Sequence, residues 1–246
     1  MPKAKNTDEP AITSLNNKVD EQFIPTGIPE VDNIIGGGVY RGRITEVWGQ
    51  EGVGKTNFVT RMLATVSKDY KVLYVDSEFA LNKERVRALG VDLDSIDYVA
   101  DARLERVAEI LIKAVTDNKY DLIILDSIAY LTPTTVDTNQ VGENSIGLFS
   151  RLIKHWIVKF RPRLGVSKTA CVVINQYRKP LGLYVKAESP GGTSWHHAVD
   201  VRLLLTSNSG DKILKGTERI GHYVNVEVKK SKVSQPFVTT KYKLLY

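Results

Sequence analysis

Cysteine occurs once in the 246 residues, as Cys171. A single thiol excludes any disulfide within the chain and predicts an intracellular, cytosolic protein. Long hydrophobic runs are missing as well: none approaches the roughly 20 residues that cross a bilayer, so no membrane partner is expected. The opening "MPKAKNTDEPAITSLNNKVD" lacks the apolar centre of a signal peptide. Histidine is scarce, and the adjacent His196 and His197 cannot easily converge on one metal. No second pair lies at zinc spacing, which leaves these two as interface or packing residues. Internal repeats and low-complexity stretches are absent too. Charge of neither sign is short: 34 Lys plus Arg against 28 Asp plus Glu leave a net +6. The excess is late, with eight basic residues from Asp211 onward (Lys212, Lys215, Arg219, Lys229, Lys230, Lys232, Lys241, Lys243) against Asp211, Glu218 and Glu227. Such a surplus suits a polyanionic partner but equally a solvated surface.

What is present is an alternation. Residues 1–22 are polar and read as an N-terminal arm, a candidate contact with a neighbouring protomer, ahead of one domain over 23–246. "GIPEVDNIIGGG" predicts a short helix closed by glycines. Apolar runs of strand length follow at 44–48, 71–76, 122–126 and 170–175, separated by helical patterns over 55–68, 82–89, 104–117 and 145–160. Strands apolar on both faces, alternating with helices, predict an α/β fold of three layers around a parallel sheet. From Val201 the runs "VRLLLT", "HYVNVEV" and "TKYKLLY" succeed one another without helices and predict antiparallel strands extending that sheet. The core positions include Cys171 and Trp156.

The chemistry begins at "GQEGVGKT", residues Gly49, Gln50, Glu51, Gly52, Val53, Gly54, Lys55 and Thr56. This is the G-x-x-x-x-G-K-[ST] phosphate loop. Its backbone N–H groups cradle phosphates, its lysine reaches the β- and γ-phosphates, and its Thr hydroxyl ligates Mg²⁺. A buried strand before it and a helix after it separate it from a chance glycine-rich turn. A nucleotide with Mg²⁺ is therefore the expected ligand. Asp126, ending "LIILD", falls at the carboxyl edge of a doubly wound sheet and is the second candidate Mg²⁺ ligand. Glu78, in "VDSEFA", is a candidate base for the water that attacks the γ-phosphate, whereas Asp76 beside it is expected to be structural. A long excursion, "NQYRKPLGLYVKAESPGG", leaves the core after the last parallel strand. Arg178, Lys179 and Lys186 offer charge to phosphates there, Leu181 or Leu183 a wedge between bases, and Gly191 and Gly192 close backbone approach. These suit sequence-independent binding of single-stranded DNA.

Taken in order, "GRITEVWGQEGVGKT", "YVDSEFALN", "LIILDSIAYLTP", "VINQYRKPLG", "PGGTSWHHAVDVRLLL" and "VEVKKSKVSQPF…YKLLY" resemble the ATPase core of RecA-type recombinases, bacterial and phage, over roughly residues 24–246. The resemblance implies a RecA-like P-loop NTPase with a mixed central sheet, a parallel core and antiparallel C-terminal strands. It implies that the nucleotide is ATP, that Glu78 is the catalytic glutamate and that Gln176 senses the γ-phosphate. It implies that Lys230 and Lys232 reach into the neighbouring subunit's ATP site, as an arginine finger does. Their competing reading is a solvated hairpin turn. It also implies DNA loops near 132–147 and 176–194, with Ile146 the apolar contact of the first and Arg151 on the helix behind it. Arg85 stands where the bacterial proteins stack an aromatic ring on adenine, and a guanidinium stacks on a base too.

The sequence departs from the family at Pro180, where the bacterial proteins are basic, and at Val158, where they carry a DNA-contacting arginine. The chain stops at "YKLLY", where the bacterial proteins continue. The expected function is a compact recombinase: a DNA-dependent ATPase that forms a helical homo-oligomeric filament on single-stranded DNA for recombination and repair, with duplex DNA as a further candidate partner. A bacterial cytosol is expected, with a phage gene as one source. Two other readings stand beside it, an accessory paralogue with little turnover and a ring-forming motor on the same fold.

Overall fold

The computed structural model describes residues 22–134, 144–177, 189–208 and 210–246, and for 144–146 the backbone alone. Two short strands, β1 (Phe23–Ile24) and β2 (Val39–Tyr40), pair around helix α1 (Pro29–Ile35). There follow β3 (Ile44–Gly49), α2 (Lys55–Val66), β4 (Val72–Asp76), α3 (Lys83–Ala88), β5 (Ile96–Ala100), α4 (Leu104–Thr116) and β6 (Leu122–Asp126). The second half contains α5 (Asn144–Val166), β7 (Ala170–Gln176), α6 (Gly192–Ala198), β8 (Val201–Thr206), β9 (Lys212–Lys215), β10 (Glu218–Ser231) and β11 (Thr239–Leu245). Among the described residues nine strands form one sheet in the order β11-β10-β8-β3-β7-β6-β4-β5, with β9 beside β10.

The central strands are apolar on both faces because each face meets its own core. On β7, Ala170, Val172 and Ile174 join a cluster with α1 and α2, while Cys171 and Val173 point the other way into α4, α5 and α6. The same alternation runs through β4 (Val72 and Tyr74 against Leu73 and Val75) and β6 (Leu122 and Ile124 against Ile123 and Leu125). Period-two side chains thus divide between two helical layers, the three-layer arrangement that such strands require. Cys171 is 1% exposed and Trp156 is buried in that second cluster.

Several details differ from the sequence expectation. The run "VRLLLT" is not the first antiparallel strand: β8 pairs parallel with β3, and antiparallel pairing starts only between β8 and β10. The reason lies just upstream, where α6 supplies a helical crossover that permits a parallel return. Strand β5, "IDYVA", carries the half-exposed pattern of a sheet edge and has no apolar run to announce it. Strand β9 is new as well, and β10 is longer than its apolar core. Helix α5 continues past Phe160 and through Pro162, because Leu164 extends its buried face by another turn.

Candidate functional site

Parallel strands point their carboxyl ends to one edge of the sheet, and a concave site forms there. Strand β3 delivers Gly49, whose register partner across the sheet is Gln176 of β7. Strands β4 and β6 end on the paired Asp76 and Asp126. Beyond Gly49 the chain curls through residues 50–54, and Gly54 caps α2 with φ +104°. A side chain at Gly54 would push only the tip of Leu244, 2.2 Å away, so it is the left-handed backbone that demands glycine.

The resulting cleft is lined by Glu51, Gly52, Gly54, Lys55, Thr56, Glu78, Arg85, Asp126 and Gln176. These nine predicted residues come from four strand ends and two helices. Gly49, Gln50 and Val53 complete the loop from behind: Lys55 Nζ donates to the carbonyls of Gly49 (3.1 Å) and Gln50 (2.8 Å), and Val53 N–H points at the Gln50 carbonyl. Burial lowers the Lys55 pKa, and the carboxylates of Glu78, Asp126 and Glu51 oppose that shift. The ammonium is thus partly stripped of water yet held in a negative field.

Asp126 is the most constrained acid of the cleft. Its Oδ2 accepts from Thr56 Oγ1 at 3.0 Å and Tyr74 OH at 2.8 Å, while its buried Oδ1 has no partner among the described residues. Burial raises its pKa to about 6; the Tyr74 hydrogen bond counteracts this and the Glu78 charge adds to it. A buried carboxylate oxygen without a donor is costly. A hard divalent cation, which takes oxygen ligands, would relieve it, so Thr56 and Asp126 fit Mg²⁺. Glu78 is aimed by Ser127, whose Oγ donates to Oε1 at 2.7 Å. Ser127 is fixed in turn by Ser77, since its N–H donates to Ser77 Oγ and Ser77 Oγ donates to the Ser127 carbonyl. Asp76 instead accepts from the N–H groups of Glu78, Ala80 and Leu81 and from Tyr98 OH, the structural role expected of it.

Other lining residues were not legible as such. Tyr130, His222, Leu244 and Tyr246 close the far wall. His222 lies with Nδ1 3.1 Å from Tyr246 OH and Nε2 3.4 Å from the Val53 carbonyl, which places the proton on Nε2 in the neutral ring. The available signal was weak: an aromatic after the last apolar pair of "KLLY", and a lone histidine opening a strand.

Lys230 and Lys232 are not brought to this cleft. Lys230 Nζ donates to the carbonyls of His196 (2.6 Å) and His197 (3.3 Å), and Lys232 Nζ reaches the His197 carbonyl and Asp200. They therefore sit at the carboxyl end of α6, where cations complement exposed carbonyls. Burial, then the charge of Lys232, lowers the Lys230 pKa. Of the predicted DNA contacts, Arg151 is exposed on α5, and Gly191 and Gly192 start α6 with φ +118° and +72°. Arg178, Lys179, Leu181 and Lys186 lie outside the described residues, as does the side chain of Ile146 and the arm before residue 22. His196 and Trp195 are packing residues of α6, with Trp195 buried and His196 Nε2 3.1 Å from the Ser189 carbonyl. No group of three or more His, Cys, Asp or Glu that could hold a metal occurs among the described residues.

Comparison with known proteins matches residues 4–246 to the RecA N-terminal domain. The chain belongs to the RecA family. It is 32% identical over 242 residues to Protein RecA of Streptomyces coelicolor, covering 96% of this chain and 64% of that protein. Protein RecA of Enterococcus gallinarum is 31% identical over 248 residues, covering 98% of this chain and 71% of the relative. That of Clostridium acetobutylicum is 33% identical over 227 residues, covering 91% and 64%. The RecA-family chain thus spans about two thirds of the length of these relatives. Among its described residues no helix is long and apolar enough to cross a membrane.

Proposed function

We propose that the chain is an ATP-dependent recombinase core that assembles head to tail on single-stranded DNA, with ATP and Mg²⁺ held between subunits and hydrolysis releasing the strand. The single observation that supports it best is the convergence of Lys55, Thr56, Glu78, Asp126 and Gln176 on one cleft. Mg²⁺, received by Thr56 and Asp126, would neutralise charge on the β- and γ-phosphates.

This chain's residues would do the rest. The loop amides and Lys55 hold the phosphates, and Lys55 leaves the Gly49 and Gln50 carbonyls for phosphate oxygens. Glu78, aimed by Ser127, takes the proton of the attacking water. Gln176 reads the γ-phosphate from the end of β7. Arg85 and Tyr246, both on the cleft wall, bracket the base. Lys230 and Lys232 reach the neighbour's cleft and make turnover depend on assembly; that they lie outside their own chain's cleft supports this reading. A head-to-tail contact that does not close generates a helical filament. The strand is held by the loops near 132–147 and 176–194, backed by Arg151, Gly191 and Gly192, with duplex DNA as a second ligand in recombination and repair. The arm at 1–22 contacts the next protomer, and the site of action is the bacterial cytosol.

The test is ATP turnover with and without oligothymidylate. Stimulation by DNA is expected, and it should vanish in Lys55→Ala and fall about 10²- to 10⁴-fold in Glu78→Gln, the usual range for a lost general base. Turnover indifferent to DNA would overturn the reading, and closed hexamers in negative stain would point to a ring motor instead.

A further inference from the structure

The acid in "ITEVW" lies outside the cleft. Glu46, on β3 three residues before Gly49, is wholly buried, and four donors converge on its carboxylate. Oε1 accepts from Asn175 Nδ2 (2.8 Å), Ser189 Oγ (2.8 Å) and Trp195 Nε1 (2.7 Å), and Oε2 accepts from Arg202 Nε (2.5 Å). The donors come from the end of β7, the chain entering α6, α6 itself and β8. Arg202 is Glu46's register neighbour on β8 and donates also to Ser189 Oγ, so the buried charge is paired.

What these donors flank is the informative point. Asn175 precedes Gln176, and its Oδ1 accepts the Gln176 N–H. Its Nδ2 reaches both Glu46 and the Pro190 carbonyl. One carboxylate therefore grips both Ser189, just ahead of α6, and the residue that holds Gln176. Two positions along the same strand, Trp48 stacks on Tyr177 with centroids 5.9 Å apart and lies under the Arg202 guanidinium. Tyr177 N–H donates to the Gly49 carbonyl, which also accepts from Lys55 Nζ. A network confined to core packing has no need to join both flanks of one excursion to the first carbonyl of the phosphate loop.

We propose that Glu46 is a positioning residue: its carboxylate fixes Gln176 against the cleft and ties that placement to Ser189 and Trp195, so that γ-phosphate occupancy and the two flanks shift as one unit. The proposal rests on the reading of the cleft as an ATP site. A carboxamide cannot replace the acid, because its NH₂ would face either Arg202 or the three donors on Oε1.

The experiment compares the full chain with Glu46→Gln and Ser189→Ala. It measures melting midpoint, ATP KM and kcat with and without oligothymidylate, and tryptophan emission on adding ATPγS or ADP. Trp48 and Trp195 both belong to the network. In the unaltered chain ATPγS should change the emission and ADP should not. In Glu46→Gln the ATP KM should stay within about threefold while kcat falls about tenfold and the emission change disappears, a loss inside the usual range of inter-site coupling. Ser189→Ala leaves the charge pair intact and should show the same pattern at about threefold, so it decides the matter if Glu46→Gln does not fold. An emission response and a kcat/KM pattern unchanged in both variants would sink the proposal. So would parallel loss of KM, kcat and melting midpoint in Glu46→Gln with Ser189→Ala unaltered, since that is a purely structural effect. Should oligothymidylate stimulate neither the parent nor the variants, the DNA reading falls, whereas the emission response to ATPγS still judges Glu46.

Discussion

Two buried carboxylates, Asp126 at the tip of β6 and Glu46 inside β3, show what burial alone does not reveal. Both are nearly inaccessible to solvent. Glu46 has four donors on its two oxygens, one of them an arginine, whereas Asp126 has two hydroxyl donors on one oxygen and, among the described residues, none on the other. The first is a finished site whose charge is already spent on neighbours. The second is unfinished, with burial and the Glu78 charge both opposing its ionisation, which is the condition a cation-binding group should meet. The distinction between holding and binding lies in the partners.

The comparison can be broken by substitution. Glu46→Ala should show the largest loss, about 3–5 kcal/mol by urea denaturation, because it leaves the mostly covered Arg202 guanidinium without its counter-charge. A loss under about 1 kcal/mol would mean the network is slack. Trp195→Phe keeps an aromatic side chain but removes the Nε1 donor to the charged oxygen together with part of the indole, with an expected loss of at least about 1.5–3 kcal/mol. Gly191→Ala should follow at about 1–2 kcal/mol, since φ is +118° and the new methyl would meet Trp195 at 2.7 Å. Tryptophan emission should shift in the same variant as the ring is displaced. Asp126→Asn should move stability least, by under about 1 kcal/mol and in the stabilising direction, because it removes a charge that burial disfavours. It should nevertheless weaken Mg²⁺-dependent nucleotide binding about 10- to 100-fold, measured by calorimetric titration with and without the metal. A destabilised Asp126→Asn would erase the contrast.

The phosphate loop was legible because its chemistry is local: the glycines, Lys55 and Thr56 are contiguous, and strand and helix flank them. Asp126 and Glu78 were legible through a rule of topology, that acids ending apolar strands collect at one edge. Glu46 was not, because in sequence it is one acid within an apolar strand. Its partners lie 129, 143, 149 and 156 residues away, and only the folded sheet brings them together. The direction of β8 escaped for a related reason: it depends on α6, a seven-residue helix too short and polar to register as a periodic pattern. Lys230 and Lys232 came from family likeness, and a single chain shows why the residues alone preferred a surface role, since both are already engaged at the end of α6.

The lone thiol has a practical corollary. Cys171 is the second residue of β7, covered by the helical layer, and burial pushes its pKa up to about 12, so there is no accessible thiolate to attack maleimides and other thiol reagents. A cysteine introduced on any exposed turn would therefore be the sole labelling handle. A fluorophore or a spin probe could be attached to the native background with no need to remove anything first.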